Sequence, residues 1–273
     1  MVAKALESLR AALPAGVELV AVSKFHPVER LMEAYNAGQR IFAESRPQEL
    51  AAKVPQMPSD VKWHFIGHLQ TNKLKLVLPY VDLVQSVDSL HLLEAINAWG
   101  AANSRVINVL LELHLGAEET KQGFSAEEIL SIVSWAGTPS ETHGHPRPCK
   151  REGPADWRDG EQACLVTGTA GCGRGLSEAK EVSEGVPAQL KNIRICGLMG
   201  MATNTDDMEV VERDFERIER LFLEIREMGI PGFEELSIGM SGDWPVAVRH
   251  HATMVRIGTD IFGPREYISL ARN

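Results

Sequence analysis

The sequence predicts an α/β protein, an eight-stranded (β/α)8 barrel of the TIM type. Three observations carry that expectation. Eight runs rich in apolar and β-branched residues recur along the chain, and helical patterns fill the intervals between them. A length of 273 residues is ordinary for one such barrel. A doubly wound open sheet is the structural alternative. It usually carries a glycine-rich turn after its first strand, and here that turn reads SKFHPVE, with no GxGxxG.

The elements follow in order. MVAKALESLRAALPAG reads as a short amphipathic helix and lacks the apolar core and cleavage site of a secretory signal. The first strand is VELVAVSK, 17–24. A helix over Pro27–Ala37 opens on proline and closes near Gly38. Further strands are expected at 40–45, 62–67, 83–88, 106–115, 193–202, 233–240 and 254–263. Ser89 caps LHLLEAINAWGAAN. Ser125 caps AEEILSIVSWA, with Glu128 three residues on as in a capping box. A long helix over Asp206–Met228 lines up Val211, Phe215, Ile218, Phe222 and Ile225 on one face. On its other face Glu209 with Arg213, and Glu216 with Arg220, stand at i,i+4 spacing.

Residues 139–188 break the alternation. They hold three of the four cysteines and little periodicity, the mark of a loop or disordered insertion within a single domain spanning 1–273. Cys149, Cys164 and Cys172, with His143 and His145, invite a metal reading. No CxxC pair exists and the spacings are not those of zinc sites, so no metal is expected. In a barrel, a helix-to-strand loop lies on the face opposite the active site.

Charge and composition narrow the function classes. The formal net charge of −9 does not fit a general nucleic-acid binder. No apolar run reaches the length of a membrane span. Four cysteines are no disulfide framework, and the chain reads as cytoplasmic.

The carboxyl ends of barrel strands line the active site. Strand one ends in Lys24, where apolar neighbours disfavour the ammonium and make the amine a better nucleophile toward a carbonyl. Strand two ends in Glu44 and Ser45. Strand seven leads into SIGMSGDW, where Met240, Ser241 and Gly242 let backbone amides approach a ligand. Asp243 then begins a helix whose first amides would point to the same place. Gly258 and Thr259 follow strand eight. The two turns lie on adjacent strands, where many barrels bind phosphate. Arg256 stands between Val255 and Ile257, suited to a ring nitrogen or a carboxylate, or else to a buried ion pair. His64 reads as a satisfied core histidine. Met199 and Met201 read as packing residues.

AVSKFHP, FAESRPQEL, WHFIGHLQTNK, QSVDS, ETKQGF, RICGLMGMAT, LSIGMSGDW and VRIGTDIFGPR occur in this order. Together they resemble the pyridoxal phosphate homeostasis protein family, over nearly the whole chain outside 139–188. The resemblance implies a type III pyridoxal phosphate fold, like the N-terminal domain of alanine racemase. It implies that Lys24 forms the internal aldimine of pyridoxal 5′-phosphate (PLP). Ser241, Gly258 and Thr259 match positions around the cofactor phosphate, and Arg256 matches the arginine facing the pyridine nitrogen. Ser45 stands where the family often has an asparagine, and Gly242 where it usually has an aspartate. The implied function is PLP homeostasis without turnover, by a monomer or weak dimer, with PLP-dependent apo-enzymes as partners. The alternative is a PLP-dependent amino-acid racemase. That reaction needs a second base, and none of Tyr35, Tyr80 and Tyr267 is an obvious one. An aldolase with a substrate Schiff base at Lys24 is a third option.

Overall fold

A computed structural model describes residues 1–116, 122–136 and 190–264. Eight parallel strands close into a barrel in sequence order. They are β1 Glu18–Val22, β2 Ile41–Glu44, β3 Lys62–Phe65, β4 Leu83–Val87, β5 Ile107–Leu113, β6 Ile193–Gly200, β7 Glu235–Ser237 and β8 Met254–Ile257. The helices are α1 Val2–Ala12, α2 Val28–Asn36, α3 Pro47–Lys53, α4 Leu90–Ala102, α5 Ala126–Ala136, α6 Met208–Glu227, α7 Trp244–Arg249 and α8 Thr259–Phe262. Closure comes from β8 pairing with β1, Val20 opposite Arg256 and Ala21 opposite Ile257.

Strand residues are buried on both faces, which is why the strands read as near-continuous apolar runs. Val20, Val22, Ala43, Leu83, Leu110, Cys196, Met199 and Met254 pack inside the barrel. Leu19, Ala21, Phe42, Phe65, Val84 and Leu111 face outward and join the helices in a larger core. Polar residues also enter the barrel. His64 is fully buried and its pKa is pushed down to about 3, chiefly by burial, so it stays neutral. Its Nδ1 lies 2.9 Å from the Gln85 amide nitrogen. An amide nitrogen only donates, so Nδ1 accepts and the ring proton sits on Nε2. Gln85 Oε1 in turn accepts from the Ser237 hydroxyl at 2.7 Å.

Strand order and number match the sequence expectation. Differences fall at the ends. β8 stops at Ile257, and the apolar TDIF that was expected to continue it forms α8 instead. β7 shortens because Ile238 to Met240 turn away, with Gly239 at φ +90. A Cβ there would come within 2.6 Å of Ala247 Cβ, so the turn requires glycine. The seven-residue α3 was not foreseen. The capping box at α5 is reciprocal: Glu128 N–H donates to Ser125 Oγ, and Ser125 N–H donates to Glu128 Oε2. On α6, Glu216 pairs with Arg220 at 3.0 Å and Glu209 with Arg213 at 3.9 Å. Segment 139–188, with its cysteines and histidines, lies outside the described residues, as does Tyr267.

Candidate functional site

A cavity of about 220 Å³ opens at the carboxyl ends of the strands. Three regions adjacent around the barrel build most of its wall. The end of β1 and the turn after it bring Val22, Lys24 and His26. The β7–α7 turn brings Met240, Ser241 and Gly242, and β8 with its following turn brings Arg256, Gly258 and Thr259. Ile66, Met199 and Met201 complete the apolar side. Of the eight residues expected at the site, seven therefore share one cavity. Ser45 is not in its wall. It sits at the end of β2 against Gly67, where a Cβ would come within 2.2 Å of the Ser45 carbonyl oxygen.

Lys24 occupies a tight turn. The His26 amide donates to the Ser23 carbonyl at 3.1 Å, leaving Lys24 and Phe25 as the central residues. Phe25 has φ +68, a conformation that glycine favours and a bulky side chain resists. Three side chains brace this turn. Lys53 Nζ donates to Ser23 O at 2.8 Å, to Glu44 Oε1 at 2.7 Å and to Glu49 Oε1 at 2.7 Å. Glu49 Oε1 also accepts from the Phe25 amide at 2.7 Å. Ser23 Oγ donates to Glu44 Oε1 at 2.6 Å. Glu44 is fully buried and its pKa is driven up to about 7, by burial first, with Lys53 opposing. Its second oxygen, Oε2, has no hydrogen-bond partner among the described residues. The sequence carried a trace of this group, since Glu49 and Lys53 stand four apart after Pro47. Glu44 was visible only as the end of a strand.

Arg256 is 4% exposed, yet among the described residues it meets no carboxylate directly. Its Nη1 donates to Ser237 O and Oγ at 2.7 and 2.6 Å, and its Nη2 to Gly200 O at 2.9 Å. A chain of hydrogen bonds thus runs from Arg256 through Ser237 and Gln85 to His64 and fixes the guanidinium. Burial lowers its pKa to about 10, against the pull of Glu112 and Asp243, so it remains a cation at neutral pH. On β5, Glu112 is pushed up to about 7 by burial and by Asp88, with Arg256 and His68 opposing. His68 Nδ1 lies 2.9 Å from Asp88 Oδ2.

The β7–α7 turn differs from the expectation in its detail. The amides of Asp243 and Trp244 turn back to Met240 O, at 3.1 and 2.9 Å. The Met240 amide is taken by Asp243 Oδ1 at 2.5 Å. The first turn of α7 is thus satisfied internally and does not face the cavity with its amides. The amides of Ser241 and Gly242 donate to no acceptor among the described residues. They and the Ser241 hydroxyl remain to receive an anion. His26 follows the Lys24 turn, with no role assigned to it by the sequence. It is 7% exposed and packs its ring 4.9 Å from that of Phe262. Tyr35 donates its hydroxyl to Asp60 on the surface, and neither it nor Tyr80 reaches the cavity.

Comparison with known proteins places this geometry in context. The sequence pattern of the family described as alanine racemase, N-terminal domain, matches residues 2–140 and 165–266. Pyridoxal phosphate homeostasis proteins are similar over nearly the full length. The one from Haemophilus influenzae is 30% identical, covering 92% of this chain and 86% of its own. That of Schizosaccharomyces pombe is 32% identical, covering 91% and 84%. Among solved structures, PipY of Synechococcus elongatus PCC7942 is 29% identical and covers 96% of this chain and 100% of its own. The TM-score is 0.74 without PLP and 0.72 for the structure with PLP bound. Alanine racemase from Clostridium difficile shares the fold at a TM-score of 0.67 and 13% identity, covering 98% of this chain and 57% of its own.

Proposed function

This chain belongs to the pyridoxal phosphate homeostasis proteins of the alanine racemase N-terminal-domain family, and from that premise we propose that it holds PLP for intracellular homeostasis without turning over a substrate. The observation that carries this reading is a single cavity with an amine, a fixed cation and an anion cradle on its wall. When bound, PLP supplies an aldehyde that a lysine amine takes up reversibly, together with a ring nitrogen and a phosphate. The residues present fit each part. Lys24 is half-buried and offers the amine. The uncommitted amides of Ser241 and Gly242, the Ser241 hydroxyl, and Gly258 with Thr259 hold the phosphate. Arg256 has donors only, so it meets the ring nitrogen in its unprotonated form. Met240 lines the cavity and is 38% exposed. Ser45 stands outside the wall, its backbone packed against Gly67.

Holding is favoured over racemisation by what the cavity contains. A racemase needs a base on each face of the bound amino acid. Among the described residues no tyrosine lines the cavity, and the relatives are named for homeostasis rather than for a reaction. PLP-dependent apo-enzymes are the natural recipients, since each needs the aldehyde in protected form. The chain is taken to act in the cytoplasm, as a monomer or weak dimer.

The test is the visible spectrum of the protein with PLP, followed by borohydride reduction and peptide mapping. Reduction is expected to fix the cofactor to Lys24, and Lys24→Ala is expected to abolish the linkage while leaving the fold intact. A reducible bond at another lysine in Lys24→Ala would overturn the assignment.

A further inference from the structure

We propose that Glu44, Glu49 and Lys53 are positioning residues that clamp the peptide groups on either side of Lys24 and so aim its amine into the cavity. The inference deepens the cofactor reading above and rests on it. Two peptide planes flank the Lys24 Cα. The carbonyl of the preceding one, Ser23 O, is held by Lys53 at 2.8 Å. The amide of the following one, Phe25 N, is held by Glu49 at 2.7 Å. With both planes pinned, φ and ψ of Lys24 are fixed, and with them the direction of its side chain. The turn needs such bracing, because Phe25 sits at φ +68 without being glycine. Arg46 adds to it by lying over the Phe25 ring, 4.3 Å from the centroid.

Stability alone does not account for this group. A buried ion pair is often no more stable than well-packed apolar residues of the same volume. Glu44 also keeps one buried oxygen unpaired, an arrangement that costs stability. Its geometric yield is local: every bond it makes with Lys53 and Ser23 converges on the segment that carries Lys24.

The test compares two ligands. PLP engages the Lys24 amine. Pyridoxine 5′-phosphate has the same ring and phosphate with an alcohol in place of the aldehyde, and does not. In Glu49→Ala the Phe25 amide loses its acceptor, and its hydrogen exchange is expected to accelerate in the ligand-free protein. The Kd for PLP is expected to rise by about tenfold or more, while that for pyridoxine 5′-phosphate stays within about twofold. Glu49→Gln keeps an acceptor oxygen and is expected to restore the PLP affinity. The double substitution Glu44→Gln with Lys53→Met removes both buried charges together, protecting the fold, and is expected to behave like Glu49→Ala. Equal losses for the two ligands would make the group merely structural and overturn the proposal. So would unchanged PLP affinity alongside faster Phe25 exchange. A wild-type protein that binds pyridoxine 5′-phosphate but forms no reducible bond with PLP would overturn the role of Lys24 itself, and the clamp with it.

Discussion

A carboxyl that is fully buried beside a lysine ties the fold to the pH of the solution. Burial raises the Glu44 pKa from 4.5 to about 7, so between those values the folded protein binds more protons than the unfolded chain. The stability that this protonation contributes is complete below about 4.5 and is lost as pH rises through about 7. Glu112 acts in the same direction, while His64, held neutral down to about 3, opposes them below about 6.5 without outweighing the two carboxyls. Denaturant midpoints measured from pH 5 to 8 are therefore expected to fall with pH, and Glu44→Gln is expected to flatten the slope in part. A slope unchanged in that variant would assign the whole effect elsewhere. At the cradle the prediction is simpler. Ser241→Ala removes one hydroxyl donor, and calorimetry is expected to show about 0.5–1.5 kcal/mol weaker binding of PLP and pyridoxine 5′-phosphate alike. A loss confined to PLP would move Ser241 from the phosphate to the aldehyde.

Elements differ in how much of them local sequence dictates. The N-terminus of α5 is a local event, with Ser125 and Glu128 exchanging bonds at 3.2 and 2.8 Å. Ser125→Ala is expected to cost about 1 kcal/mol in chemical unfolding, and no loss would show that the cap is replaced by solvent. The helix α6 depends on packing instead. Its apolar stripe is buried against the barrel, and Phe215 is fully inaccessible. Phe215→Ala is expected to cost about 3–5 kcal/mol, since a buried aromatic leaves a cavity that a closed barrel collapses poorly into. The short α3 and α8 were hidden because neither is long enough to show helical periodicity. Pro47 marked the start of the first, but TDIF could equally have continued β8. Register with β1 ends that strand at Ile257, where a Cβ at Gly258 would meet Val22 O at a tight 3.2 Å.

Across the whole molecule, closure of the sheet brings β1 beside β8 and so unites residues more than two hundred positions apart. Lys24 and Arg256 share a cavity for that reason alone. Segment 139–188 lies between α5 and β6 in the sequence, and in a barrel such helix-to-strand loops sit on the face opposite the active site. We therefore expect its replacement by a short linker to leave PLP binding within about twofold. Loss of binding by a folded variant would show that the segment reaches the site. The sequence by itself determined the alternation of strands and helices, the lysine at the end of the first strand and the small-residue turns after the last two. Each of these depends on local composition, periodicity or the position of one residue along one element. Only the tertiary structure decided that Glu44, Glu49 and Lys53 converge on the turn around Lys24, that Arg256 is held by Ser237 and Gly200 rather than by a carboxylate, and that the first amides of α7 are spent on Met240. Those facts depend on which buried donors face which acceptors, and that is fixed by barrel closure and register, which no single stretch of sequence contains.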